Sequence, residues 1–247
     1  RRLWVHNIIR GRKLYGAYNN LVQELRLDDA RFVAYFRLHK SQFEDLLQII
    51  APSIAKTQTK FRETISAEER FCICLRYLAT GDSFRSIAFG FRVGASTLAG
   101  IVSQVCEAIW NCLLSDCMPV PDAAEWYRFR LVDIGAYGRN SDGGTLAASA
   151  FGSALRQSSL RIPEDSPLPG AEHLGAMPYV FLADEAFPLC RNILRPYPGH
   201  NTGERKVFHF RLSHARRMVE CTFGILAAQW RVYRRYWECL RRWLRRL

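Results

Sequence analysis

Acidic residues are scarce in this chain: 23 Asp and Glu stand against 35 Lys and Arg, a formal charge of +12 and a pI near 9.6. So large a surplus disfavours cationic partners and favours an anionic one, nucleic acid first and an acidic membrane surface second. No apolar run approaches the roughly 20 residues of a spanning helix, so no membrane segment is expected. No secretory leader is visible either. The 8 cysteines include no C-x-x-C pair. Cys72 and Cys74 sit two apart in a helical pattern, on different faces, which argues against a shared metal. The cysteines therefore read as buried thiols in a reducing compartment, not as a disulfide framework. The histidines lack ligand spacing: His209 and His214 are five apart, not the i, i+4 of a helical zinc pair. "GAYGRNSDGG" lacks the lysine and spacing of a P-loop, which removes the commonest nucleotide site.

Apolar residues are plentiful at 49% of 247, enough for a real core in one large domain or two modest ones. Residues 1–117 read as helical. Phe32, Tyr35, Phe36, Phe43, Leu46, Leu47 and Ile50 recur at helical spacing, with Ser41 and Glu44 as a capping box and Pro52 as a stop. Ser66 with Glu69 starts another helix, which Gly81 ends near Thr80. A short helix is expected over 83–90. A third is capped by Ser96 after "RVGA" and runs through Trp110. Two helices around a short glycine-containing turn form a helix-turn-helix pattern. In it the last helix would read DNA, with Arg92, Ser96 and Thr97 near its N-terminus. An ordinary helical bundle is the competing reading.

From residue 128 the period changes. "RFRLVDIGAYG" reads as a strand and "RNSDGGTLAASAFGSAL" as a loop followed by a helix; Pro, Gly and Ser then mark a long loop before "YVFLADEAFPL". Strands alternating with helices indicate an α/β region over 118–247. Tyr179 to Ala183 form an unbroken apolar run suited to a strand buried on both faces, yet it ends in Asp184 and Glu185. Charge at the mouth of a core strand needs compensation. "RLSHARRMVECTFGILAAQWRVYRR" reads as an amphipathic helix whose stripe is Leu212, Ala215, Val219, Phe223 and Leu226. Glu220 lies beside that stripe among Arg211, Arg216 and Arg217, as a salt-bridge partner or a metal ligand.

"FRLVDIGAYGRNSDGGTL", "YVFLADEAFPL", "LRPYPG" and "RLSHARRMVECTFGILAAQWRV" resemble the transposases of the PIF/Harbinger superfamily and the domesticated nuclease related to them. "LRYLATGDSFRSIAFGFRVGASTLAGIV" is similar to the helix-turn-helix region of the same proteins. The resemblance implies a ribonuclease-H-like (DDE) domain that hydrolyses phosphodiesters in DNA, with an Asp-Asp-Glu triad holding two divalent ions, Mg²⁺ or Mn²⁺. Residue by residue, Asp184 matches the second Asp and Glu220 the Glu, with 35 residues between them. Glu185, its neighbour along the strand, is expected to face away. A nuclear location and a Myb-like companion protein are further implications of the likeness.

The chain also departs from that pattern. A block like "GAIDGKHI", bearing the first Asp, and the strand after it are missing: "CMPVPDAAEWY" runs directly into "RFRLVDIG". Asp122 is a poor stand-in, and Asp133 and Asp142 read as turn and loop acids. The domain is therefore expected to be truncated and its nuclease activity weak or absent. The start "RRLWVHNIIRGRK" holds five Arg or Lys, and the tail "RVYRRYWECLRRWLRRL" seven Arg among aromatics. The start reads as a DNA arm, a nuclear-import patch or a solvated basic face; the tail reads as a nucleic-acid contact, a basic amphipathic helix of the membrane-surface or calmodulin-target kind, or sequence without a selected role.

Overall fold

The computed structural model describes residues 6–57, 64–117, 142–160 and 162–234. Their contacts divide into two units, Arg1–Pro119 with Gly224–Trp243, and Val120–Phe223 with Leu244–Leu247. The first is helical: α1 Asn7–Arg10, α2 Arg12–Tyr15, α3 Leu21–Leu25, α4 Asp29–Phe36, α5 Lys40–Ile54, α6 Ala67–Thr80, α7 Phe84–Phe91 and α8 Ala95–Cys117. The second holds α9 Asp142–Ala148, α10 Ala150–Arg156, the two-residue strands β1 Ser166–Pro167, β2 Ala176–Met177, β3 Phe181–Leu182 and β4 Ile193–Leu194, and the first part of α11 Glu204–Gln229. The end of α11 and a 3₁₀ turn at Arg231–Arg234 belong to the first unit. The molecule is mostly helical with a few short strands.

The caps explain many of the helix starts. Asp28 accepts from the Arg31 amide, Ser66 from Glu69 and Ser83 from Ser86, at 3.1, 3.1 and 3.2 Å, each satisfying an orphan amide of a first turn. One expected cap is corrected: α5 begins at Lys40, and His39 N–H donates to Gln42 Oε1 at 3.1 Å. Ser41 and Glu44 are therefore inside the helix. Pro52 does not stop it; α5 runs on to Ile54, because a proline near the C-terminus removes only one backbone bond. α6 ends at Gly81, whose φ of +64° suits glycine. A Cβ there would also stand 3.1 Å from the Arg231 carbonyl oxygen, so the 3₁₀ turn needs that glycine twice over.

Aromatic packing carries the bundle core. Phe32, Phe36, Phe43 and Phe71 are buried, with ring centroids 4.9 Å apart for Phe32–Phe36 and for Phe43–Phe71, and 5.5 Å for Phe32–Phe43. Tyr35, Leu46 and Leu47 pack partly buried against this cluster. The Arg76 guanidinium lies 4.0 Å over the Tyr35 ring, yet burial still raises the phenol pKa. Cys72 and Cys74 are buried as expected, and burial pushes the Cys72 thiol well up. Cys117, Cys190 and Cys221 are exposed, a correction to the reading of all cysteines as buried. The 23 residues of α8 have the length and composition of a bilayer-crossing helix, as the core helix of a soluble protein also can. One face, Leu98, Ile101, Val102 and Val105, lies in the bundle core.

Candidate functional site

β3 and β4 pair in parallel, Phe181 opposite Ile193 and Leu182 opposite Leu194. The Phe181 and Ala183 amides donate to the Asn192 and Leu194 carbonyls at 2.8 Å each. The run 179–183 is not a core strand, which corrects the expectation: none of its residues is buried, with Val180 40% and Leu182 44% exposed. A two-residue pair covers neither face.

The chain turns at Asp184. Its Oδ1 accepts from the Ala186 amide at 3.4 Å, its carbonyl accepts from Phe187 N–H at 3.1 Å, and its Oδ2 receives Arg216 Nη2 at 3.0 Å. The Ala186 amide first, then the Arg216 charge, hold the carboxyl below its usual range. Arg195 braces the same turn, Nη1 donating to the Glu185 carbonyl at 3.1 Å and the Phe187 carbonyl at 2.9 Å. The Glu185 side chain is exposed. Beyond Arg195, the Tyr197 amide donates to His209 Nε2 at 2.9 Å, the two rings stacked at 7°, and Arg205 lies 5.0 Å over Tyr197. Those contacts fasten the "LRPYPG" loop to the start of α11. Arg195 and His209 carry roles that the sequence reading missed. The signal for Arg195 was its place in that short block, one residue past β4.

α11 begins at Glu204, well before the expected start, and its apolar stripe is largely uncovered: Leu212 is buried, whereas Val219 is 43% and Phe223 55% exposed. Glu220 is exposed, and among the described residues it forms no ion pair with Arg211, Arg216 or Arg217. The salt bridge that forms joins Arg216 to Asp184 instead. Residues four apart share a helix face, so Glu220 sits one turn along from the arginine that reaches Asp184.

Residues 123–242 match the DDE superfamily endonuclease family. The matched stretch is a little under half of the chain and contains Asp184, Arg195, Arg216 and Glu220. No curated protein and no solved structure matches.

DDE superfamily endonucleases typically use divalent metals, which a cluster of carboxylates with free oxygens would hold. Both Asp184 oxygens are engaged, one by an amide and one by a guanidinium. No group of three His, Cys, Asp or Glu side chains able to hold a metal occurs among the described residues. As arranged, the described residues do not fit a two-ion site. Asp122 and Asp133 lie outside the described residues, as do the expected strand near 128 and the tail from Arg235. Asp142 is the first residue of α9, not a loop acid.

In the helical unit, α7, the turn Arg92–Gly94 and α8 follow the expected order. Ser96 is not the cap; α8 starts at Ala95, and the Leu98 amide bonds to the Gly94 carbonyl at 2.9 Å. Ser96 and Thr97 are exposed on its first turn. Arg92 has φ +53°, and its guanidinium lies 4.8 Å over the Tyr15 ring with Nη1 3.5 Å from the Ile8 carbonyl. It is tied to the N-terminal segment. A neighbouring groove of about 250 Å³ is lined by Ile8, Ile9, Ala88, Phe89 and Val93 together with His6 and Arg85.

Proposed function

We propose that this chain is a transposase-derived, DNA-directed protein of the DDE endonuclease type, in which phosphodiester hydrolysis is weak or absent. The PIF/Harbinger likeness gives the finer assignment, a truncated ribonuclease-H-like domain behind a helix-turn-helix bundle, a nuclear location and a Myb-like companion. The family match over 123–242 supports the endonuclease ancestry. The +12 charge supports an anionic partner. One observation carries the impairment: Asp184, the acid expected to hold Mg²⁺ or Mn²⁺, gives its free oxygen to Arg216 at 3.0 Å.

Plasmid DNA incubated with the full chain and Mg²⁺ or Mn²⁺ tests this. The expected result is no nicking above that of Asp184→Ala. Nicking by the wild type that vanishes in Asp184→Ala overturns the impairment.

A second reading is a non-catalytic DNA binder. It is favoured by Ser96 and Thr97, which stand exposed on the first turn of α8 after the α7 turn. Phosphate contacts require affinity to fall steeply with salt. Affinity that is unchanged between low and moderate salt removes DNA as the partner.

A further inference from the structure

We propose that Arg216 is a built-in counter-cation for Asp184 and excludes divalent ions from it. The inference rests on the DDE reading above and concerns that same carboxylate.

Asp184 ends a parallel strand pair in a turn braced by Arg195, so its position is set before any cation arrives. One oxygen is committed to the Ala186 amide and the other to Arg216. An arginine is charged at every accessible pH, so its own deprotonation cannot release this pair above the carboxylate range. A hard dication seeks the same carboxylate oxygen and so competes with the guanidinium for Oδ2. Arg216 comes from α11, whose Leu212, one turn earlier, is buried. The side chain is itself only 27% exposed, which limits how far the head strays. Glu220 lies one turn further on the same face and makes no ion pair among the described residues.

The experiment is Mn²⁺ titration of the full chain, with free Mn²⁺ read by electron paramagnetic resonance. Arg216→Gln is expected to bind Mn²⁺ about fivefold tighter than the wild type, the factor for displacing a partly exposed ion pair of the stronger kind. The gain should vanish in Arg216→Gln/Asp184→Asn. Arg216→Lys, which keeps the charge, should behave like the wild type. A purely structural arginine would give losses of stability in both Arg216→Gln and Arg216→Lys without any change in Mn²⁺ affinity. Equal Mn²⁺ affinity in the wild type and Arg216→Gln therefore overturns the proposal. Circular dichroism checks that each variant folds, and Arg216→Met serves in place of Gln if Gln does not.

The two readings fail separately. Salt-insensitive DNA affinity removes the DNA-directed assignment and leaves the Mn²⁺ comparison intact. Asp184-dependent Mn²⁺ binding that is equal with and without Arg216 sinks the counter-cation and leaves that assignment standing.

Discussion

The helical unit and the unit that carries Asp184 differ in how they hide apolar surface. The first buries whole side chains from α3 to α8, including Phe36, Phe43, Ile50, Phe71 and Leu98. Among the described residues of the second, only Gly152, Ile193 and Leu212 are buried. Large apolar side chains are present there too: Val207, Phe210, Met218 and Phe223 stand 52%, 71%, 59% and 55% exposed on α11. A helix closes its own backbone bonds, so one stripe against a neighbour is enough to make a core. A strand needs partners on both edges and a layer on each face, and pairs of two residues supply neither.

That contrast can be broken most sharply by truncating one phenylalanine in each unit. Phe71→Ala removes a fully buried ring and should cost about 3–5 kcal/mol. Phe210→Ala, from an exposed position, should cost less than about 0.5 kcal/mol. Urea unfolding followed by circular dichroism measures both. Similar losses would mean that Phe210 is covered in solution.

The ion pairs sharpen the same contrast at smaller scale. Glu69 is 5% exposed and pairs with Arg12 at 2.9 Å, whereas Asp184 and Arg216 are 44% and 27% exposed at the side chain. Glu69→Ala leaves a mostly buried guanidinium short of its carboxylate and should cost about 3 kcal/mol in the same unfolding experiment. A loss below about 1 kcal/mol would place that pair in effective contact with water.

The smallest effect belongs to Asp184, where breaking the pair should cost no more than about 1 kcal/mol. Its pKa is lowered in the folded chain, so its contribution is present above the ordinary carboxylate value of about 3.9. It is lost as pH falls through the lowered folded value. Melting temperatures of the wild type and Asp184→Asn should therefore converge as pH is taken from 6 downward through about 3. A gap that persists at the acid end would assign the stabilisation to something other than this charge.

The helices were legible because their signals are local. Ser66 before an acidic first turn, Gly81 at a left-handed end and the Phe32–Phe36–Phe43 spacing all act within a few residues. The α5 start was misjudged for the same local reason: Ser41 is a good cap by type, but His39 and Gln42 close the turn two residues earlier. The site was only half legible. Asp184 stands out as an acid ending an apolar run, and Arg216 stands out only as one of several arginines on its helix. Which arginine meets Asp184 depends on how α11 is rotated against β3, and residues 32 positions apart carry no spacing rule that fixes it.

The sequence by itself determined the helical order of the first unit, the basic surplus and the acids at 184 and 220, because periodicity, caps and charge are properties of short stretches. Tertiary structure alone decided that Asp184 is neutralised by Arg216 while Glu220 is left without an ion pair among the described residues. The pairing of charges follows distance in space, because the attraction between them falls with separation.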